Sequence, residues 1–121
     1  LNGIEHIDNY SLIGTLNLSH NNLGNGDMNE LIRNLNRLGR LRKLFLNDNN
    51  LTELPNFAEF KPKLSELYIS HNRLTTIPAD INQLKGLRRL DAQFNQLSFL
   101  PESFADLRNL KALNLEGNSF M

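Results

Sequence analysis

The sequence predicts an α/β solenoid, with a parallel β-sheet on the concave side and one α-helix plus short 3-10 or extended returns on the convex side. Three observations predict it. An eleven-residue pattern recurs five times, beginning at Ile13, Leu41, Leu64, Leu87 and Leu110. Positions one, four, six and eleven are apolar in every copy, and position nine is always asparagine: Asn21, Asn49, Asn72, Asn95 and Asn118. Those asparagines are spaced 28, 23, 23 and 23 residues apart. A fixed period of this size makes each copy one coil of a stack, which cannot bury its apolar face alone.

The elements can be justified in chain order. Ile4, Ile7, Tyr10 and Leu12 suggest a degenerate N-terminal cap strand over residues 1–12. The repeats then run 13–40, 41–63, 64–86, 87–109 and, in part, 110–121. In each, apolar residues alternate with polar ones, the period of a strand with one face buried. Leu44 and Leu46 therefore point inward and Phe45 outward. The chain must turn sharply away from the sheet after each strand, and the position-nine asparagine sits at that corner. Its short amide can satisfy backbone groups that the turn leaves unpaired.

The returns are of two kinds. Leu54-Pro55, Ile77-Pro78 and Leu100-Pro101 recur at positions fourteen and fifteen. Proline fixes φ and lacks an N–H, which suits a short extended or single-turn return. The first return has no such proline and is five residues longer. There Met28, Leu31, Ile32, Leu35 and Leu38 fall on one helical face, predicting an α-helix over 27–38. Asn25 or Asp27 can cap its start and Gly39 its end.

These repeats resemble the leucine-rich repeat family over residues 13 to 121. The 28-residue unit is similar to the ribonuclease-inhibitor class. The 23-residue units look like those of Ras-binding scaffolds and of many bacterial and plant repeat proteins. The resemblance implies a curved horseshoe segment that recognises other proteins. Because residue 121 falls halfway through a repeat, the sequence is expected to be a fragment of a longer signalling, scaffold or effector protein.

Composition narrows the function classes. Thirteen Lys and Arg balance thirteen Asp and Glu, so the summed field favours neither nucleic acid nor an anionic membrane. No run approaches the ~18 apolar residues of a membrane span. Without cysteine there is no disulfide, thiolate catalysis or Cys-ligated zinc. The same absence, with no signal-peptide pattern at the start, points to the reducing cytoplasm. Three Asn-x-Ser/Thr sequons, at Asn9, Asn17 and Asn50, decide nothing, since chance supplies about two at this content. No nucleophile elbow, phosphate loop or His-Glu-x-x-His motif is present. The chain is expected to catalyse nothing and to need no cofactor.

Specificity must then lie at the outward strand positions. Phe45 and Tyr68 are neighbours there, with Phe94 one strand further on the diagonal. Outward aromatics rimmed by charge have the character of interface hot spots, although cross-strand stacking alone would also account for the pair. Lys43, Glu66 and Arg89 alternate in sign, either as a weak ion-pair ladder or as a rim that orients a partner. His20, Asp48 and His71 place a carboxylate between two imidazoles. This trio reads as ordinary polar surface: the outer strands are roughly 10 Å apart, and zinc–nitrogen bonds are about 2.0–2.1 Å. A pH-sensitive contact is the other reading. Arg33, Arg37, Arg40, Arg42 and Lys43 form one basic cluster, and Arg88 and Arg89 a smaller one.

The reading that results is a protein-interaction module whose concave face contacts a partner through Lys43, Phe45, Glu66, Tyr68, His71, Arg89, Asp91 and Phe94, without metal. Two rivals stay open. One is a regulatory or targeting segment of a multidomain enzyme. The other is a structural repeat that self-associates through its ends.

Overall fold

The computed structural model describes residues 12–120; the cap strand expected over residues 1–12 lies outside that range, apart from exposed Leu12. Five strands form one parallel sheet in chain order: β1 (Thr15–Asn17), β2 (Lys43–Phe45), β3 (Glu66–Tyr68), β4 (Arg89–Asp91) and β5 (Ala112–Asn114). Pairing is in register throughout, so Leu16, Leu44, Leu67, Leu90 and Leu113 form one row. A slip of one residue would turn that leucine row outward and Phe45 inward, so burial itself fixes the register. The ladder continues past the central triplets. Leu46 N–H donates to Tyr68 O at 2.8 Å, and Ile69 N–H to Asp91 O at 2.8 Å.

The predicted core is the observed core. Leu41, Leu44, Leu46 and Leu51 of the second repeat, and their equivalents in the third and fourth, are all buried. The flanking coils are less covered: Leu16 and Leu18 are half-buried, and Leu113 is 41% exposed. Each leucine is shielded mainly by coils on either side, so burial peaks in the middle of the stack.

The return of the first repeat contains α1 (Met28–Leu35). Asp27 caps it, accepting from the N–H groups of Asn29 at 2.9 Å and Glu30 at 3.3 Å, which meets two of the donors a helix start leaves free. Leu31, Ile32 and Leu35 are buried as the periodicity requires. The helix ends earlier than predicted. Asn36 is its C-cap, with right-handed φ and ψ, and Leu38 reaches the core through a tighter turn closed by Leu38 N–H to Leu35 O at 3.0 Å. Gly39 therefore does not cap it, and its φ lies outside the left-handed region.

After Pro78 and Pro101, both extended at φ near −65°, the chain makes 3-10 turns over Ala79–Gln83 and Glu102–Asp106. Pro55 leads into a looser turn instead. There Asn56 Oδ1 accepts from Ala58 N–H at 2.8 Å, and buried Phe57 meets Phe60 edge to face, with ring centres 5.5 Å apart. Among the described residues no helix is long and apolar enough to cross a membrane.

The asparagine ladder ties the coils together. Asn72 Nδ2 donates to Leu46 O at 3.0 Å in the preceding coil, and to Ile69 O and Ser70 O in its own at 3.1 and 3.2 Å. Its Oδ1 accepts from Asn49 N–H at 2.9 Å and Leu51 N–H at 3.1 Å. Asn49, Asn95 and Asn118 repeat the scheme. Replacing buried Asn72 with alanine should destabilise the fold by about 3 kcal/mol, because two amides and a set of carbonyls lose their partner. The same change at exposed Asn21 should cost under about 1 kcal/mol; urea denaturation of the two variants distinguishes them, and equal midpoints would remove the ladder's proposed role.

Candidate functional site

Local hydrogen bonding sorts the outward residues into rows with different duties. At position five, Asn17, Asp91 and Asn114 each accept the N–H two residues on, from Ser19 at 2.9 Å, Gln93 at 3.3 Å and Glu116 at 3.1 Å. Position five is aromatic in the second and third repeats, and an aromatic ring cannot do this. The position-seven side chain of the preceding coil takes over: Ser19 Oγ accepts from Asn47 N–H at 3.2 Å, and Asn47 Oδ1 from Ser70 N–H at 2.8 Å. Asp91 is thus committed to its own turn, and Gln93 Nε2 donates to its second oxygen at 3.1 Å.

Freed from that duty, Phe45 and Tyr68 stack face to face, with centroids 4.3 Å apart and planes within 1°. Both are half-buried rather than fully exposed. The Tyr68 hydroxyl donates to Glu66 Oε1, while Glu66 Oε2 stands 3.4 Å from Lys43 Nζ. The hydrogen bond from Tyr68, followed by Lys43 and Arg89, holds the Glu66 carboxyl below the usual carboxylate range. Burial first, and Glu66 second, push the Tyr68 hydroxyl up, so it remains a donor. The alternating ladder expected from the sequence stops halfway. Lys43 pairs with Glu66, but among the described residues Arg89 has no carboxylate within 4.0 Å. Exposed Arg89 instead borders a shallow hollow of about 140 Å³, together with Tyr68, Asp91, Ala112 and Asn114.

The His20, Asp48 and His71 trio separates into two pairs. His20 Nδ1 lies 3.5 Å from Asp48 Oδ2, both well exposed. His71 turns the other way and stacks on Phe94, with centroids 4.7 Å apart. Phe94 accordingly belongs to this row and not to the Phe45–Tyr68 stack. Among the described residues no three His, Asp or Glu side chains converge as metal ligands would.

A backbone constraint that sequence reasoning missed explains the row. Position eight is left-handed in all five repeats: His20, Asp48, His71 and Phe94 have φ between 55° and 63°, and Gly117 has φ 74°. The N–H groups of the first four still bond to the next coil, as His71 N–H does to Gln93 O at 3.0 Å. His, Asp and Gly are among the residues that tolerate this region best. Their recurrence there could have signalled the conformation. Phe94 is the exception, and its ring lies where a β-carbon on Gly117 would have to go.

Comparison with known proteins agrees with this geometry. A family model described as leucine rich repeat matches residues 39–97 and again 62–120, more than half of the chain. The chain belongs to the leucine-rich repeat family. It is also similar to a solved structure of an LRR protein from Leptospira interrogans, at 29% identity and a TM-score of 0.74. That match covers 97% of this chain and 34% of the other, so the chain spans about a third of the leptospiral protein's length. No curated protein matches it.

Two predictions arise from the leucine-rich repeat geometry. Because its folded pKa is lowered, Glu66 adds stability above the ordinary carboxylate pKa, and that contribution is lost as pH falls through the folded value. In Tyr68→Phe, NMR titration should show the Glu66 pKa moving up and the acid-side loss of stability shrinking; an unchanged pKa would mean that the hydroxyl is not its main cause. Gly117→Ala should cost about 1–2 kcal/mol, from left-handed strain and the blocked ring site. In a Phe94→Ala background the loss measured by thermal unfolding should be smaller, and strict additivity would argue against the ring contact.

Proposed function

We propose that this segment is a non-catalytic module that binds a protein on the concave sheet face. The contact residues are Lys43, Phe45, Glu66, Tyr68, His71, Arg89, Asp91 and Phe94. One observation carries the reading: a pre-stacked aromatic pair stands beside a hollow walled by Arg89, a cation with no carboxylate partner among the described residues. Interface anchors are enriched in Tyr and Arg, and a ring already held in place loses little side-chain freedom on binding. The tether from Tyr68 to Glu66 and on to Lys43 fixes the rim in the same way.

The residues would divide the work. Phe45 and Tyr68 supply apolar area at the centre, Arg89 offers its guanidinium to a partner carboxylate or backbone carbonyl, and Lys43 with Glu66 sets orientation. Phe94, 44% exposed and stacked on His71, adds a second apolar spot at the sheet's edge. Asp91 contributes through shape, since both of its oxygens are occupied within its own turn. The leucine-rich repeat frame is suited to this use because its outward rows can vary without disturbing the buried leucines and asparagines.

The test compares the parent with a Phe45→Ala/Tyr68→Ala variant that circular dichroism shows to be folded. Affinity for a partner captured by the parent should fall by about 2 kcal/mol or more. A folded variant that retains the partner with unchanged affinity would move the binding site off the concave face.

A further inference from the structure

The zero net charge conceals a strong asymmetry. Residues 38–42, 61–65, 84–88 and 107–111 contain eight of the thirteen Lys and Arg and none of the thirteen Asp and Glu. These are the stretches by which the chain enters each strand, and stacking aligns them. Ser65 N–H bonds to Arg42 O, Arg88 N–H to Ser65 O and Lys111 N–H to Arg88 O, each at 2.8 Å. Arg42, Ser65, Arg88 and Lys111 therefore form one column along the entry edge. One step earlier in the coil, Asn109 Nδ2 donates to Lys85 O at 2.9 Å, which keeps the approach segments aligned as well.

Along this edge lies a hollow of about 410 Å³, bounded by Phe60, Pro62 and Gly86, with Lys61, Lys63 and Lys85 around it. All three lysines are exposed, and among the described residues none has a carboxylate within 4.0 Å. The nearest acid along the chain before Lys61 is Glu59. Asp106, on the return beside Lys85, already accepts from Asn82 Nδ2 at 3.1 Å. Like charges this close on one edge repel one another, and an anionic partner would relieve that repulsion.

We infer that this basic entry edge is a second docking surface, separate from the concave face, and that it binds an acidic protein segment with an apolar side chain among its carboxylates. The apolar residue would seat against Phe60 and Pro62 while carboxylates meet Lys61, Lys63 and Lys85. The chemistry favours a peptide over other polyanions. Single-stranded nucleic acid is held by aromatic platforms on which bases stack, whereas the Phe60 ring is engaged edge to face with buried Phe57. A membrane-surface site needs exposed apolar residues to insert; of the large exposed ones, Phe94, Phe99, Leu113 and Phe120 lie off this edge, and Leu12, in line with it, is two coils away from Lys63.

The experiment is a fluorescence-anisotropy titration with a short labelled peptide rich in Asp and Glu around a central Leu. A labelled oligo-dT and vesicles containing anionic lipid serve as comparators. Saturable peptide binding is expected, weakening as salt rises. It should fall roughly tenfold or more in Lys63→Glu/Lys85→Glu, by less in Lys63→Ala/Lys85→Ala, and stay unchanged in Phe45→Ala/Tyr68→Ala. The inference is overturned if the parent binds no peptide, if both lysine variants bind like the parent, or if oligo-dT or vesicles bind more tightly than the peptide. Loss of peptide binding in the aromatic variant would also overturn it, by placing the peptide on the concave face.

Discussion

Everything in this stack depends on one side-chain amide per coil, buried in the three middle coils. Where the chain leaves the sheet, the carbonyl of position six no longer faces an N–H of a neighbouring strand, and the N–H groups of positions nine and eleven point inward. An unpaired backbone group in such a place costs about 1–3 kcal/mol. The position-nine amide answers both needs, since its nitrogen has two donors and its oxygen two acceptor sites. An Asn72→Asp substitution would present only acceptors once ionised, and Asn72→Ser would reach fewer groups. Because the amide of Asn72 contacts carbonyls in two coils, each corner fixes the position of the next.

That frame dictates much of what stands on the surface. The left-handed residue at position eight makes the corner possible, and it selects His, Asp and Gly there for backbone reasons. What looked like a chemical trio is in large part the imprint of this preference. Position five shows a similar trade. Asn or Asp there closes the turn locally, so an aromatic can occupy the site only where Ser19 or Asn47 in the neighbouring coil supplies the missing acceptor. The Phe45–Tyr68 stack thus exists because two polar side chains one row away allow it.

The leucine-rich repeat architecture also separates surfaces that a linear sequence interleaves. Each coil contributes a few residues to the concave face and a few to the entry edge. Repetition gathers these into an aromatic and polar sheet face and a basic border. The two can serve different partners because they differ in chemistry: one has stacked rings fixed by hydrogen bonds, the other exposed lysines around an apolar notch. Neither requires a rearrangement of the core.

The sequence by itself determined the repeat spacing, the parallel register, the inward leucines and the structural duty of the asparagines. These are set by periodicity, and with near-identical coils any alignment other than the observed one buries polar groups or exposes leucines. It also located α1 through its apolar stripe, but not its end. Whether Leu38 continues the helix or enters through a tighter turn depends on where the next strand waits, and Gly39 carries no local mark of that. Only the tertiary structure decided which outward neighbours pair. Glu66 takes Tyr68 and Lys43 rather than Arg89, His71 takes Phe94 rather than Asp48, and the scattered Lys and Arg merge into one edge. Those outcomes turn on distances of a few ångströms between side chains in different coils, which residue spacing along the chain does not encode.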